Sequence, residues 1–153
     1  MKIIKIFLIL NFIFLSSCGY KALNNLYNQN FGIINSEFSG NKKINRKLER
    51  NFAKFNDITN ASRLFAIKIN SELIRSVTSK DSAGKEASYS IEIIVTAKVY
   101  ENSERISSSS FEKKTNYNNL NSQFELKQYE NVLINNLTDQ IIIDLNNFVG
   151  TIK

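Results

Sequence analysis

No histidine and no proline occur anywhere in this chain, and cysteine occurs once. Without histidine the chain lacks the commonest general base and the commonest transition-metal ligand. With a single cysteine it forms no intramolecular disulfide, even in an oxidising compartment. Glycine is scarce, at five residues. The richness in Asn, Ser, Lys and Ile that accompanies these absences reads as compositional drift. An enzyme built from what remains would need paired carboxylates or a Ser–Lys dyad. Ser79, Lys80 and Ser82 form too common a pattern to count. Asp81 and Glu86 fall in a solvated loop with nothing evident to perturb their titration. The expectation is a protein that is not an enzyme and has no cofactor or metal.

The single cysteine has a particular setting. Met1 to Lys5 carries two lysines, and Ile6 to Leu15 is apolar except for Asn11. This run is too short to span about 30 Å of hydrocarbon and has the dimensions of a signal peptide. It ends in Leu15-Ser16-Ser17-Cys18, which resembles the bacterial lipobox. In that signal the cysteine thiol is diacylated, the bond before it is cut, and the new amino group is acylated. Residues 1–17 are therefore read as leader, Cys18 as the lipidated first residue, and 18–30 as a tether. Two or more acyl chains anchor stably where one does not. Gly19 stands where inner-membrane retention signals usually place Asp, which directs the expectation to the periplasmic side of the outer membrane. The net charge of +6 becomes milder once Lys2 and Lys5 leave with the leader. That balance suits an anionic surface without demanding one. Nucleic acid is not expected as a partner of an exported chain.

Residues 31–150 are read as one α+β domain. Phe31 to Phe38 is a first strand, and Ser39-Gly40-Asn41 a turn. Asn41 to Asn56 is helical, with Ile44, Leu48, Phe52 and Phe55 in one stripe and Asn41 as N-cap. Leu64 to Thr78 alternates, with Phe65, Ile67, Ile69, Leu73 and Val77 facing one way. Ala87 to Tyr100 alternates most cleanly, from Ala87 and Tyr89 through Val99, as a half-buried antiparallel strand does. Glu101-Asn102-Ser103 is a tight turn. Arg105 to Tyr117 is a polar strand with four consecutive serines, placed near an edge or against another molecule. Gln123 to Val149 is a long helix with Leu126, Tyr129, Leu133, Leu137, Ile141, Leu145 and Phe148 inward. Asn121 or Ser122 caps its start, and Gly150 is its C′ residue. The simplest packing is a two-layer sandwich, β-α-β-β-β-α, with both helices on one face of a four-stranded mixed sheet. The first strand, set apart by a helix, is free to pair in parallel.

These pieces resemble the LPS-assembly lipoprotein family, LptE. The resemblance rests on Cys18-Gly19-Tyr20-Lys21-Ala22-Leu23, on Gly84-Lys85-Glu86-Ala87-Ser88-Tyr89 entering the central strand, and on Tyr117, Ser122-Gln123-Phe124, Gln140-Ile141 and Leu145. Ala22 stands where the family has proline, and the last helix lacks the family's alanines. The resemblance implies a one-to-one partner of the outer-membrane β-barrel LptD. In that role the protein folds and plugs the barrel and assists delivery of lipopolysaccharide to the outer leaflet. It also implies lipopolysaccharide binding through basic residues, of which Lys85 alone falls on a basic position of the pattern. Lys80 and Arg75, close to the same loop, complete the candidate set. The competing expectation is a generic envelope adaptor, for barrel assembly or envelope maintenance, with no role in lipopolysaccharide export.

Overall fold

The computed structural model describes residues 31–59 and 61–152. The leader 1–17, Cys18 and the tether 18–30 lie outside the described residues. Four strands and two helices follow in the order β1 (Phe31–Gly40), α1 (Lys42–Phe52), β2 (Arg63–Lys80), β3 (Glu86–Glu101), β4 (Glu104–Asn118) and α2 (Gln123–Gly150). The strands form one sheet in the order β1-β2-β3-β4. β1 pairs with β2 in parallel, and the other two pairings are antiparallel. This is the expected α+β arrangement with a mixed sheet.

The parallel pairing needs a crossover, and α1 supplies it. Gly40 makes the exit from β1 possible. Its φ is +93, and a Cβ there would collide with the carbonyl oxygen of Ser71. Asn41 then caps α1, accepting from the Lys43 and Ile44 amides at 3.0 and 3.2 Å. Ile44, Leu48 and Phe52 are buried as their spacing requires. The α-helix ends at Phe52, short of the expected Asn56, and a 3-10 turn over Ala53–Phe55 completes the segment. That turn brings Phe55 into a stack with Phe31 at 5.7 Å.

β2 and β3 bury the same face. Phe65, Ile67 and Ile69 lie against Ile91, Ile93, Val95, Ala97 and Val99, all nearly inaccessible. Val77, expected inward, is 40% exposed although Tyr89 opposite it is buried, because α2 packs over β3 and β4 and leaves this end of β2 open, where β2 and β3 run on as a hairpin arm. β4 is an edge strand, as its weak alternation suggested. Asn102 and Ser103, both with positive φ of 49 and 70, make the two-residue turn between β3 and β4.

α2 buries Leu126, Ile134, Leu137, Ile141, Leu145 and Val149. Two expectations about this helix change. Tyr129 is 44% exposed, because Glu130 takes the inward place beside it and meets partners on the sheet. Gly150 is inside the helix, and Thr151 is the C-cap in a right-handed conformation. The Thr151 hydroxyl donates to the Phe148 carbonyl at 2.8 Å, so the end is satisfied without a left-handed glycine. Among the described residues no helix is long and apolar enough to cross a membrane.

Candidate functional site

The three basic residues expected to matter lie on one arm, and the fold treats them differently. β2 and β3 pair down to Lys80 opposite Glu86. Asp81 organises the loop between them. Its Oδ1 accepts from the Ala83 and Lys85 amides at 2.9 and 2.8 Å, and its own amide donates to the Lys85 carbonyl at 2.8 Å. Gly84, with φ +78, turns the chain back into β3. Asp81, expected in an unconstrained loop, is thus the loop's scaffold. The Lys80 and Lys85 side chains project from this frame, exposed, and neither ammonium has a polar partner among the described residues. Two exposed cations on this tip can engage an anion by charge-assisted hydrogen bonds.

Arg75 lies further down the arm and meets an anion of its own chain. Its Nε donates to Glu130 Oε1 at 2.8 Å, and its guanidinium stacks 3.9 Å over the Tyr89 ring. The Tyr117 hydroxyl donates to the same Glu130 oxygen at 2.6 Å. Tyr89 stacks on Tyr117 at 5.5 Å, and Tyr129 closes edge-on at 6.1 Å. At the far end the Tyr89 hydroxyl donates to Glu86 at 2.7 Å. One continuous set of contacts therefore runs from the base of the tip, through β2, β3 and β4, to α2.

The titration of the cluster follows its geometry. Burial, together with the hydrogen bond to Glu130, pushes the Tyr117 phenol up to about 12. Burial opposes ionisation of Glu130, but the hydrogen bonds from Tyr117 and Arg75 outweigh it and hold the carboxyl below its ordinary range. The hydrogen bond to Glu86 raises the Tyr89 phenol. Asn119, just after β4, ties to the same region through its amide donor on the Glu86 carbonyl at 2.8 Å.

Periodicity did not point to Glu130, since Arg75 and Glu130 are 55 residues apart. Tyr89 and Tyr117 did carry a signal, because both belong to the residues on which the LptE resemblance rests, and here they stack on each other.

No family model matches the sequence, and no curated protein matches it. The rare lipoprotein B of Shewanella oneidensis superposes with a TM-score of 0.57 at 18% identity, over 76% of this chain and 95% of that one. The chain has the rare lipoprotein B fold. A lipoprotein B from Nitrosomonas europaea superposes with a TM-score of 0.53 at 14% identity, over 81% of this chain and 90% of its own. The shared fold thus spans nearly all of each of these two structures.

Proposed function

We propose that this chain is a lipid-anchored subunit of the lipopolysaccharide export machinery. In this reading it is the folding partner and plug of an LptD-type outer-membrane β-barrel, and it catalyses no reaction. The observation that carries the proposal is the hairpin tip. Lys80 and Lys85 flank the loop, exposed and without a polar partner among the described residues, braced from below by the Arg75–Glu130–Tyr117 contacts. Phosphorylated sugar head groups are the anions that such a tip would meet at the periplasmic face of an outer membrane. The rare lipoprotein B fold and the lipobox at Cys18 support the address. The outward face of the sheet carries Lys68, Asn70, Glu72, Glu92, Thr96 and Lys98 beside Leu64, Ile74 and Ile94, and its polar part supports the plug, since barrel lumens are polar.

Three measurements test the reading. Tagged protein extracted in mild detergent is expected to bring a large β-barrel with it; a protein that runs alone defeats the partnership. Lys85→Glu is expected to weaken binding of purified lipopolysaccharide about tenfold, ~1.4 kcal/mol. Binding and export at wild-type level in that variant would remove the tip from the mechanism. Depletion of the protein is expected to lower surface lipopolysaccharide, whereas normal levels would favour the generic adaptor.

A further inference from the structure

β4 ends the sheet, and no strand among the described residues pairs with its outer edge. Such an edge offers a row of free amides and carbonyls, which folds usually blunt with a short strand, a bulge, proline or charges. The opposite edge follows that rule: β1 has 10 residues and an irregularity between Ile33 and Asn35. β4 has 15 residues, and the chain has no proline. The middle of β4, Ser107-Ser108-Ser109-Ser110, carries no charge. Its register shift lies near its start, where Ser107 pairs with Val99 and Arg105 with Tyr100, leaving Ile106 as the extra residue. Its charges flank the serines, with Glu104 and Arg105 before them and Glu112, Lys113 and Lys114 after.

That edge is complementary to itself. Opposite residues of an antiparallel pair share a face, so a two-fold axis between two identical strands passes where a residue meets its own copy. With the axis at Ser109, Ser108 meets Ser110 and Ser107 meets Phe111. The bulged Ile106 is passed over, and Arg105 then meets Glu112 while Glu104 meets Lys113. The faces agree: Arg105 and Glu112 lie on the open side of the sheet, opposite Tyr100 and Ile94, and Glu104 and Lys113 on the helix side, opposite Glu101 and Ile93. Symmetry makes each of these opposite-charge pairs twice. The adjoining registers lose them. An axis at Ser108 sets Arg105 against Ser110 and Glu104 against Phe111. An axis at Ser110 sets Arg105 against Lys114, and like charges directly opposite are destabilising. Neither Glu104 nor Arg105 has an ion pair among the described residues. Lys113 meets Asp144 at 2.7 Å, so Glu104 of a second copy would join an existing pair.

We infer that this chain pairs with a second copy of itself, edge to edge along β4, in the one antiparallel register that places Ser109 on the two-fold axis. Charge complementarity of the strand with its own reverse identifies the occupant as a copy of this chain. Ladder hydrogen bonds join the strands, and the flanking charges fix the register. The inference stands apart from the barrel partnership proposed above.

The experiment uses the full-length chain, purified in mild detergent and sedimented over a range of concentrations. Wild type is expected to pass from monomer to dimer. Arg105→Glu, which sets acid against acid twice, is expected to weaken the dimer about tenfold, and Arg105→Glu combined with Glu112→Arg to restore it. Circular dichroism checks that each variant is folded. Ser109→Cys and Ser108→Cys test the register independently under mild oxidation, with wild type as the control for Cys18. Directly opposite Cα atoms are about 4.5–5.5 Å apart, within reach of a disulfide, whereas diagonal neighbours at about 7–8 Å are not. A disulfide dimer is therefore expected from Ser109→Cys and little from Ser108→Cys. Wild type that stays monomeric, with no Ser109→Cys dimer above the control, overturns the inference. So does a dimer that ignores the charge exchange or that crosslinks through Ser108→Cys instead. In intact membranes, Ser109→Cys caught on a different protein and never on itself gives the edge to a foreign strand and overturns the inference as well.

Discussion

Ser71 occupies a core-facing position of β2, between Ile69 and Leu73, where the alternation of the strand calls for an apolar side chain. It is 1% exposed. Its hydroxyl donates to Asn45 Oδ1 at 2.6 Å and accepts from the Asn41 amide at 3.1 Å. A pattern of apolar and polar letters registers Ser71 only as a gap. In three dimensions it is the point where the first turn of α1 is fastened to the sheet. Removing the hydroxyl leaves a buried amide oxygen on Asn45 without a donor, and an unsatisfied group of this kind costs about 1–3 kcal/mol. Ser71→Ala is therefore expected to lower stability in urea unfolding by that amount. A loss well under 1 kcal/mol would show that the hydroxyl contributes little. Asn45 and Ser71 are 26 residues apart, so neither reveals the other in the sequence. The inward series around them, Phe65 to Ile69 and Tyr89 to Val99, was legible because strand period and burial coincide there without interruption.

The contact that binds elements together is the Arg75–Glu130–Tyr117 junction between β2, β4 and α2. Tyr117 is held at about 12, above the ordinary phenol value of 10.0. A group whose folded pKa is raised stabilises the fold fully below its unfolded pKa and loses that contribution as pH rises through the folded one. The junction is thus expected to weaken between about pH 10 and pH 12. Glu130 runs the other way: its depressed carboxyl stabilises the fold above the ordinary value of 4.5 and loses this as pH falls. Absorbance of tyrosinate should show late-titrating phenols, Tyr89 and Tyr117, of which one is lost in Tyr117→Phe. A variant with the same titration as wild type would refute the assignment. The existence and order of the elements could be read from periodicity, because each element has a long amphipathic run. Their ends could not. α1 stops at Phe52 and α2 passes through Gly150, in each case because a local hydrogen bond or aromatic stack settles the end.

At the scale of the whole molecule, the arrangement has a direction. Phe31, the first described residue, pairs with Arg63 at one end of the sheet, and Lys80 pairs with Glu86 at the other. The expectation of a lipid at Cys18 rests on a local motif, whereas this polarity follows from the mixed sheet, with β1 parallel to β2. Cys18→Ala is expected to abolish incorporation of labelled fatty acid and to move the protein from the membrane to the soluble fraction. A variant that stays membrane-bound would assign retention to the protein partner. β2 has 18 residues, and at about 3.3 Å per residue its ends are about 55 Å apart. The strand is therefore a measuring rod laid along the length of the sheet. One end stands beside Phe31, the first described residue, and the other carries Lys80 and the turn to Lys85 at a distance set by the count of residues in β2 and β3.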